Sequence, residues 1–96
     1  MTEWTFLTNH AHVLLCITED HNIRLRDLAQ KVSISERAVK RIVADLERTG
    51  YISRKRLGRR NRYEIHAEQP IRSPLVRTLE IGALLALLVP FVPTSL

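Results

Sequence analysis

The basic side chains between positions 54 and 62 are the residues most suited to a defined chemistry. Six of these nine residues are arginine or lysine. Like charges at this density repel one another unless anions neutralise them, and phosphates are the obvious anions. The alternative interpretation is that the charges only protect the edge of a β-hairpin from pairing with other strands, but one or two basic residues are enough for that. The predicted phosphate-contacting set is Arg54, Lys55, Arg56, Arg59, Arg60, Asn61 and Arg62.

A second basic surface is predicted just before this segment, on a helix with one apolar face. Its buried stripe consists of Val39, Ile42, Val43 and Leu46. Arginines and one small residue lie on the opposite side of the helix. That side could enter the major groove of DNA, where arginine side chains can bind guanine. An ordinary amphipathic helix with a basic solvent face is the other interpretation. The predicted contact set is Ser35, Glu36, Arg37, Lys40, Arg41, Ala44 and Arg48.

The charge of the chain is concentrated in the same region. Residues 24–63 hold thirteen Lys or Arg against four Asp or Glu, a balance of +9, whereas the flanks carry −4 and the whole chain +5. Such a concentration is typical of a surface that binds nucleic acid. Cys16 is the one cysteine among 96 residues, which excludes an intramolecular disulfide and is expected of a cytoplasmic protein. The N-terminus lacks the pattern of a secretory signal.

Three helices are expected to position the basic surfaces. Thr8 is a good N-cap for a first helix over residues 9–19, and residues 26–32 form a second, poorly capped helix. Either Ser35 as N-cap or a capping box from Ser33 starts the third helix, which ends before Gly50.

A hairpin and a last helix complete the expected elements. The pattern changes to period two over residues 51–55 and 62–65, which predicts two strands around a loop that contains Gly58. A linker from Gln69 to Ser73 follows. Ser73 and Pro74 then suggest the start of a helix that reaches Val89.

This last helix is apolar on every side near its end. A small domain covers one face of such a helix, so a second copy of the chain is expected to cover the rest. Burial within the same chain and membrane insertion are the alternatives. For insertion, the uncharged stretch from Ile81 to Val92 is shorter than the roughly 20 residues that span a bilayer. Trp4, Phe6 and Leu7 could extend this apolar surface. The predicted dimer interface is Leu75, Leu79, Ala83, Leu84, Leu85, Ala86 and Leu88.

The run from Leu25 to Ile52 resembles winged helix-turn-helix regulators of the MarR type. The shared pattern is a Leu-Ala pair, a Ser before the third helix, a Val inside it and an apolar pair after a Gly. The resemblance covers Thr8 to Ile65. It implies that residues 36–48 form a recognition helix and residues 56–61 the tip of a wing. Such regulators usually carry longer helices at both ends than this chain does.

The predicted fold class is mainly α with a small β-hairpin: a three-helix core with a wing and a C-terminal dimerisation helix. Residues 1–66 are expected to bind DNA, and residues 67–96 to provide the linker and the dimer helix. The expected function is a homodimeric, sequence-specific regulator of transcription that binds double-stranded DNA, and neither an enzyme nor a membrane protein. A protein-interaction module and a non-specific architectural DNA-binding protein are the rivals. Whether a small-molecule effector exists is left open.

No cofactor or metal is expected. His12 and Cys16 are four residues apart and could share a metal ion, but two ligands do not make a zinc site. Tyr51 and Tyr63 are expected to face the core. Without aromatic side chains on the basic surface to stack on bases, RNA reading is disfavoured.

Overall fold

A computed structural model describes residues 3–93, which form four α-helices and one antiparallel hairpin. The predicted fold class, a mainly α winged helix, is confirmed. In chain order the elements are α1 (Asn9–Glu19), α2 (Leu25–Val32), α3 (Glu36–Arg48), β1 (Ile52–Leu57), β2 (Arg60–Ile65), α4 (Ile81–Leu88) and a 3₁₀ turn (Val89–Phe91).

Side-chain caps fix the starts of α1 and α3 where the sequence predicts them. The hydroxyl of Thr8 accepts a hydrogen bond from the backbone N–H of Ala11, at 3.2 Å. The hydroxyl of Ser35 accepts one from Ala38 N–H, at 3.0 Å. Each bond satisfies a donor that the first helical turn leaves without a partner. The predicted bounds of α1 and the Ser35 start of α3 are therefore confirmed.

The short turn between α2 and α3 decides between the two starts considered for α3. Ser33 has a left-handed backbone with φ of 65° and ends α2, where its N–H donates to the carbonyl of Ala29. Its position at the end of α2 excludes the capping box that the sequence allowed. The second helix also begins one residue earlier than expected, at Leu25, and Arg24 at its N-cap position provides no side-chain cap.

The core lies where the three N-terminal helices meet the hairpin. Val13 and Ile17 of α1, Leu28 of α2 and Val39 of α3 are fully buried, and the stripe predicted for α3 is buried in full. Tyr63 completes this core from β2, and its burial raises the pKa of its hydroxyl. The expectation that both tyrosines face the core is confirmed, since Tyr51 and Tyr63 are both buried.

The hairpin is longer and its turn tighter than the sequence predicts. The two strands pair from Ile52↔Ile65 to Leu57↔Arg60, so only Gly58 and Arg59 remain in the turn. Gly58 has a φ of +61°, a backbone conformation that glycine adopts without strain. Most of the residues expected to lie in the loop between the strands are therefore paired within the hairpin.

The last helix begins seven residues later than predicted, at Ile81 instead of Pro74. Ser73 accepts hydrogen bonds from the N–H groups of Leu75 and Val76, but these close a local turn and start no helix. The backbone instead forms a bridge between Pro70 and Glu80, and α4 begins at Ile81. Bonds from Ile71 N–H to Leu79 O and from Ile81 N–H to Gln69 O, at 2.9 and 2.7 Å, flank this bridge.

The contact between α4 and the rest of the fold also differs from the expectation. Ile81 and Leu85 are buried in the core, so Leu85, which the sequence places in a dimer interface, packs within its own chain. Leu84 and Leu88 are half-buried against the same core. Ala83 and Ala86 are exposed. Leu75 and Leu79 are exposed as well, but they lie in the irregular segment before the helix.

Candidate nucleic-acid interface

The face of α3 opposite the buried stripe is exposed, as predicted. Its charged residues project from a helix that Val39 and its apolar neighbours hold against the core. Among residues 3–93, Arg37, Lys40 and Arg41 form no ion pair. Their charges are therefore available to a partner. The exposed set is Ser35, Glu36, Arg37, Lys40, Arg41, Ala44 and Arg48.

Arg48, at the end of the same face, differs from the other basic residues of α3. Its guanidinium lies 2.6 Å from a carboxylate oxygen of Asp45, one turn earlier. The other oxygen of Asp45 lies 2.8 Å from Nε2 of His10 on α1. The hydrogen bond from His10, and to a smaller extent the one from Arg48, lowers the pKa of the Asp45 carboxyl. The chain thus holds Arg48 in place and ties one edge of α3 to α1.

Basic residues on the outer face of the hairpin lie directly opposite each other. Side chains alternate along each strand, so the face that carries Tyr63 packs inward and the face that carries Lys55 and Arg62 points away from the core. Lys55 and Arg62 are cross-strand partners. Like charges in that arrangement destabilise a hairpin, and a phosphate bound between them would relieve the repulsion.

Arg54 lies on the inner face of the hairpin and pairs with a residue of α3. It is the cross-strand partner of Tyr63, and its guanidinium donates two hydrogen bonds to the carboxylate of Glu47 on α3. The two distances are 3.2 Å from Nε to Oε2 and 2.9 Å from Nη2 to Oε1. A DNA contact by Arg54 stays a prediction, and what the structure adds is this bidentate link between α3 and β1.

The remaining wing residues differ in the contacts that their side chains make. Arg60 donates to the carbonyl of Asn22 at 2.7 Å, which holds it against the α1–α2 turn. Arg62, on the outer face, comes only within 3.5 Å of the Asn22 side-chain oxygen. Arg56 donates to the carbonyl of Gly58. In the part of the chain that the structure describes, Lys55 and Arg59 donate no side-chain hydrogen bond. Arg56 and Asn61 share the inner face near the turn.

Some residues beside the wing are absent from the sets predicted from the sequence. Arg24 and Arg26 are exposed at the start of α2, and residues 22–25 line a cleft of about 540 Å³ together with Arg59 and Arg60. The concentration of basic residues, which begins at Arg24, is the sequence signal from which both arginines could have been added to the predicted DNA-contacting sets. No sequence signal points to Asn22, which acts through backbone and side-chain oxygens.

The apolar surface lies on the flanks of the chain. Within residues 3–93, seven of the eight large exposed hydrophobic side chains lie outside residues 8–66. Trp4 and Phe6 pack edge to face with ring centroids 4.7 Å apart, yet both are exposed, whereas Leu7 contacts the core. The exposed face of α4 carries Ala83, Ala86 and Leu87. The seven side chains are Trp4, Phe6, Leu75, Val76, Leu79, Leu87 and Phe91.

Neither a metal centre nor a membrane span is formed by the described residues. No group of three His, Cys, Asp or Glu side chains converges as a metal site would require between residues 3 and 93. Over the same residues, no helix is long and apolar enough to cross a membrane.

The family comparison agrees with the fold and the basic surface. The family model of the MarR family matches residues 8–59, more than half of the chain, from the cap of α1 to the turn of the wing. No curated protein matches the chain. Members of this family are regulators that bind double-stranded DNA and usually dimerise. The chain belongs to the MarR family of winged helix-turn-helix transcriptional regulators, and it is a DNA-binding protein of that class.

Proposed function

We propose that the protein is a sequence-specific regulator that binds double-stranded DNA as a homodimer and catalyses no reaction. The observation that carries the proposal is the exposed face of α3, on which Arg37 and Arg41 stand beside Ala44 without an ion pair among residues 3–93. An arginine in the major groove donates two hydrogen bonds to guanine O6 and N7, which distinguishes that base from the others. Ala44 leaves room for close approach to a thymine methyl.

The wing has a different part in this proposal. Lys55 and Arg62 face outward as a like-charged pair, and Arg59 lies in the two-residue turn at the tip. These groups suit phosphate oxygens or a minor groove, and they add affinity without reading the base sequence in the major groove. Because the paired strands extend to Leu57 and Arg60, the wing would reach the DNA as a preformed ribbon.

The dimer is proposed on the apolar flanks. Ala83, Ala86 and Leu87 lie on the side of α4 opposite the buried Ile81 and Leu85. An unpartnered apolar face of this kind favours association over exposure to water. Residues 67–96 would then serve the dimer and residues 1–66 the DNA. The interface surface is proposed to include Leu75, Leu79, Ala83, Ala86 and Leu87, with the half-buried Leu84 and Leu88 at its border.

Two half-sites about one helical turn apart are the expected target of such a dimer. The test is selection of bound fragments from a pool of random 30-base-pair duplexes, followed by quantitative titration of the selected duplex and of a scrambled one. Enrichment of a palindromic sequence, with binding at least a hundredfold tighter than to the scrambled duplex, is expected.

Each other outcome rejects the proposal in a distinct way. Equal affinity for both duplexes would indicate a non-specific architectural protein, and no binding to either would leave a protein-interaction module. Sedimentation at tens of micromolar decides the oligomeric state, and a monomer there would reject the dimer.

A further inference from the structure

The contact between Glu47 and Arg54 joins the two elements proposed to touch DNA. Glu47 lies near the end of α3, at the edge of the helix that faces the hairpin, and Arg54 lies in the middle of β1. Both bonds of the bidentate pair are within 3.2 Å, and both side chains are partly shielded from water. Bidentate pairing fixes the orientation of a guanidinium as well as its distance.

The backbone between α3 and β1 is short and turns at a glycine. Only Thr49, Gly50 and Tyr51 separate the elements, and Gly50 has a φ of +86°. Backbone bonds from Gly50 N–H to Glu47 O and from Tyr51 N–H to Leu46 O hold the start of the turn. They lie at the base of the hairpin, whereas Arg54 is attached farther along β1. The pair therefore provides a second attachment, which limits rotation of the wing about its base.

The other strand is attached to a different part of the core. Tyr63 N–H donates to the carbonyl of His21 at 2.9 Å, and Asn22 accepts from Arg60 and Arg62. These contacts tie β2 to the α1–α2 turn. The Glu47 pair is the side-chain link, among the described residues, that ties the hairpin directly to the recognition helix.

Electrostatics alone would disfavour an acid at this place. A carboxylate beside a DNA-binding surface repels phosphates, so its removal ordinarily strengthens binding to any duplex. Arg54 offsets the charge of Glu47, and the pair as a whole is close to neutral. A cost in DNA binding on removal of Glu47 would thus reveal a geometric role that outweighs the electrostatic gain.

We propose that Glu47 is a positioning residue for DNA recognition: through Arg54 it fixes the wing relative to α3, so that the helix and the wing reach adjacent grooves together. Glu47 acts through Arg54 and touches no DNA. This inference rests on the proposed function, because it concerns the same surface.

The test compares Glu47→Ala, Arg54→Ala and the double variant with Glu64→Gln. Glu64 is a matched control, since it is an exposed acid on the outer face of the wing and forms no ion pair within residues 3–93. Each protein is titrated with the selected duplex and its scrambled counterpart, after thermal denaturation confirms that it is folded at the assay temperature. Glu47→Ala should weaken binding to the selected duplex by about five- to fiftyfold, which lies within the range typical of coupling between contacting residues. Glu64→Gln should strengthen binding to both duplexes slightly.

The double variant and the conservative variant sharpen the result. If the pair acts as a unit, the double variant loses no more affinity than Glu47→Ala alone, and Glu47→Gln, which can still accept from Arg54, recovers part of the loss. Stronger binding of Glu47→Ala to both duplexes, as for the control, would overturn the proposal. Strictly additive losses in the double variant would overturn it too.

A measurement without DNA separates this inference from the proposed function. Spin labels on cysteines introduced at Ala44 and Arg59, in a Cys16→Ala background, report the distance between α3 and the wing tip. Glu47→Ala should broaden that distance distribution, whereas Glu64→Gln should leave it unchanged. Equal widths in all three proteins would reject the positioning role, even if selection yielded no preferred duplex.

Discussion

Substitutions at two leucines of α4, two residues apart, can test separately how this helix contributes to folding and to the proposed dimer. The side chain of Leu85 is 4% exposed and that of Leu87 is 65% exposed. Truncation of a leucine to alanine removes about three carbons, and each buried methylene is worth about 0.8 kcal/mol. The cavity left behind adds to this value, so Leu85→Ala should destabilise the fold by roughly 2–5 kcal/mol. Leu87 buries about a third of its surface, so the same change there should cost under about 1 kcal/mol in the isolated chain.

The assay is urea denaturation at two protein concentrations, combined with sedimentation. Leu85→Ala should lower the unfolding midpoint at both concentrations. Leu87→Asp should leave the folded monomer intact and abolish the dimer, because a carboxylate placed in an apolar interface has no partner there. The proposed association should make the wild-type midpoint depend on protein concentration, and Leu87→Asp should remove that dependence.

Two results would contradict these roles for the leucines. If Leu85→Ala dissociated the protein without a loss of monomer stability, Leu85 would contact a second copy and not its own core. If Leu87→Asp remained dimeric, the exposed face of α4 would not be the interface. A shorter chain that ends before α4 cannot replace these variants, since such a deletion also removes Ile81 and Leu85 from the core.

Three further outcomes are expected. Arg41→Ala should weaken binding to the selected duplex by roughly 1–3 kcal/mol and binding to scrambled DNA much less, and equal losses in titration would contradict a groove contact. Replacement of Arg59 and Arg60 by alanine should reduce the slope of log affinity against log salt by about 2, whereas an unchanged slope would mean that neither residue neutralises a phosphate. The lowered pKa of Asp45 means that its carboxylate stabilises the fold above the ordinary pKa near 3.8, a contribution that disappears as the pH falls through the lowered pKa. Asp45→Asn should therefore be less stable than the wild type at pH 7, with a difference in unfolding midpoint that vanishes in strong acid, and a pH-independent difference would contradict this assignment.

Local signals predicted the elements that present the basic surface. Thr8 and Ser35 cap their helices through their own hydroxyls, and the stripe around Val39 has the period of a helix with one buried face. These features depend on residues close together in the sequence. They could therefore be read without the structure, together with the exposed position of Arg37 and Arg41.

The start of α4 depended on contacts that no local pattern encodes. Ser73 and Pro74 form a plausible cap, but the chain pairs Pro70 with Glu80 instead. The N–H of Gly82 then donates to the carbonyl of Ala67 at 2.9 Å, and a Cβ on Gly82 would lie only 2.8 Å from the Cβ of Ala67. The first turn of α4 can therefore approach the preceding loop because residue 82 is glycine.

The sequence did not reveal which face of α4 is buried or how long the hairpin strands are, and the reasons differ. A helix that is apolar all around has no period to show which face is buried, so Leu85 was placed in the interface. In the hairpin, the run of charges masked the alternation that would have extended the strands to Leu57 and Arg60. The pair between Glu47 and Arg54 joins residues seven apart on different elements and has no sequence signature.

The tightly bonded segment after β2 bears on how a dimer would tolerate variation in its operator. The N–H of His66 donates to the carbonyl of Tyr51, and the Tyr51 hydroxyl donates to the carbonyl of Pro70 at 2.5 Å. Together with the bridge from Pro70 to Glu80, these bonds leave no free hinge between the hairpin and α4. In a dimer held through α4, each recognition helix would keep a fixed distance and angle from its partner. One inserted base pair rotates a half-site by about a tenth of a turn. Such a dimer would have to distort the DNA to follow that change, so it would accept one half-site spacing and discriminate sharply against its neighbours.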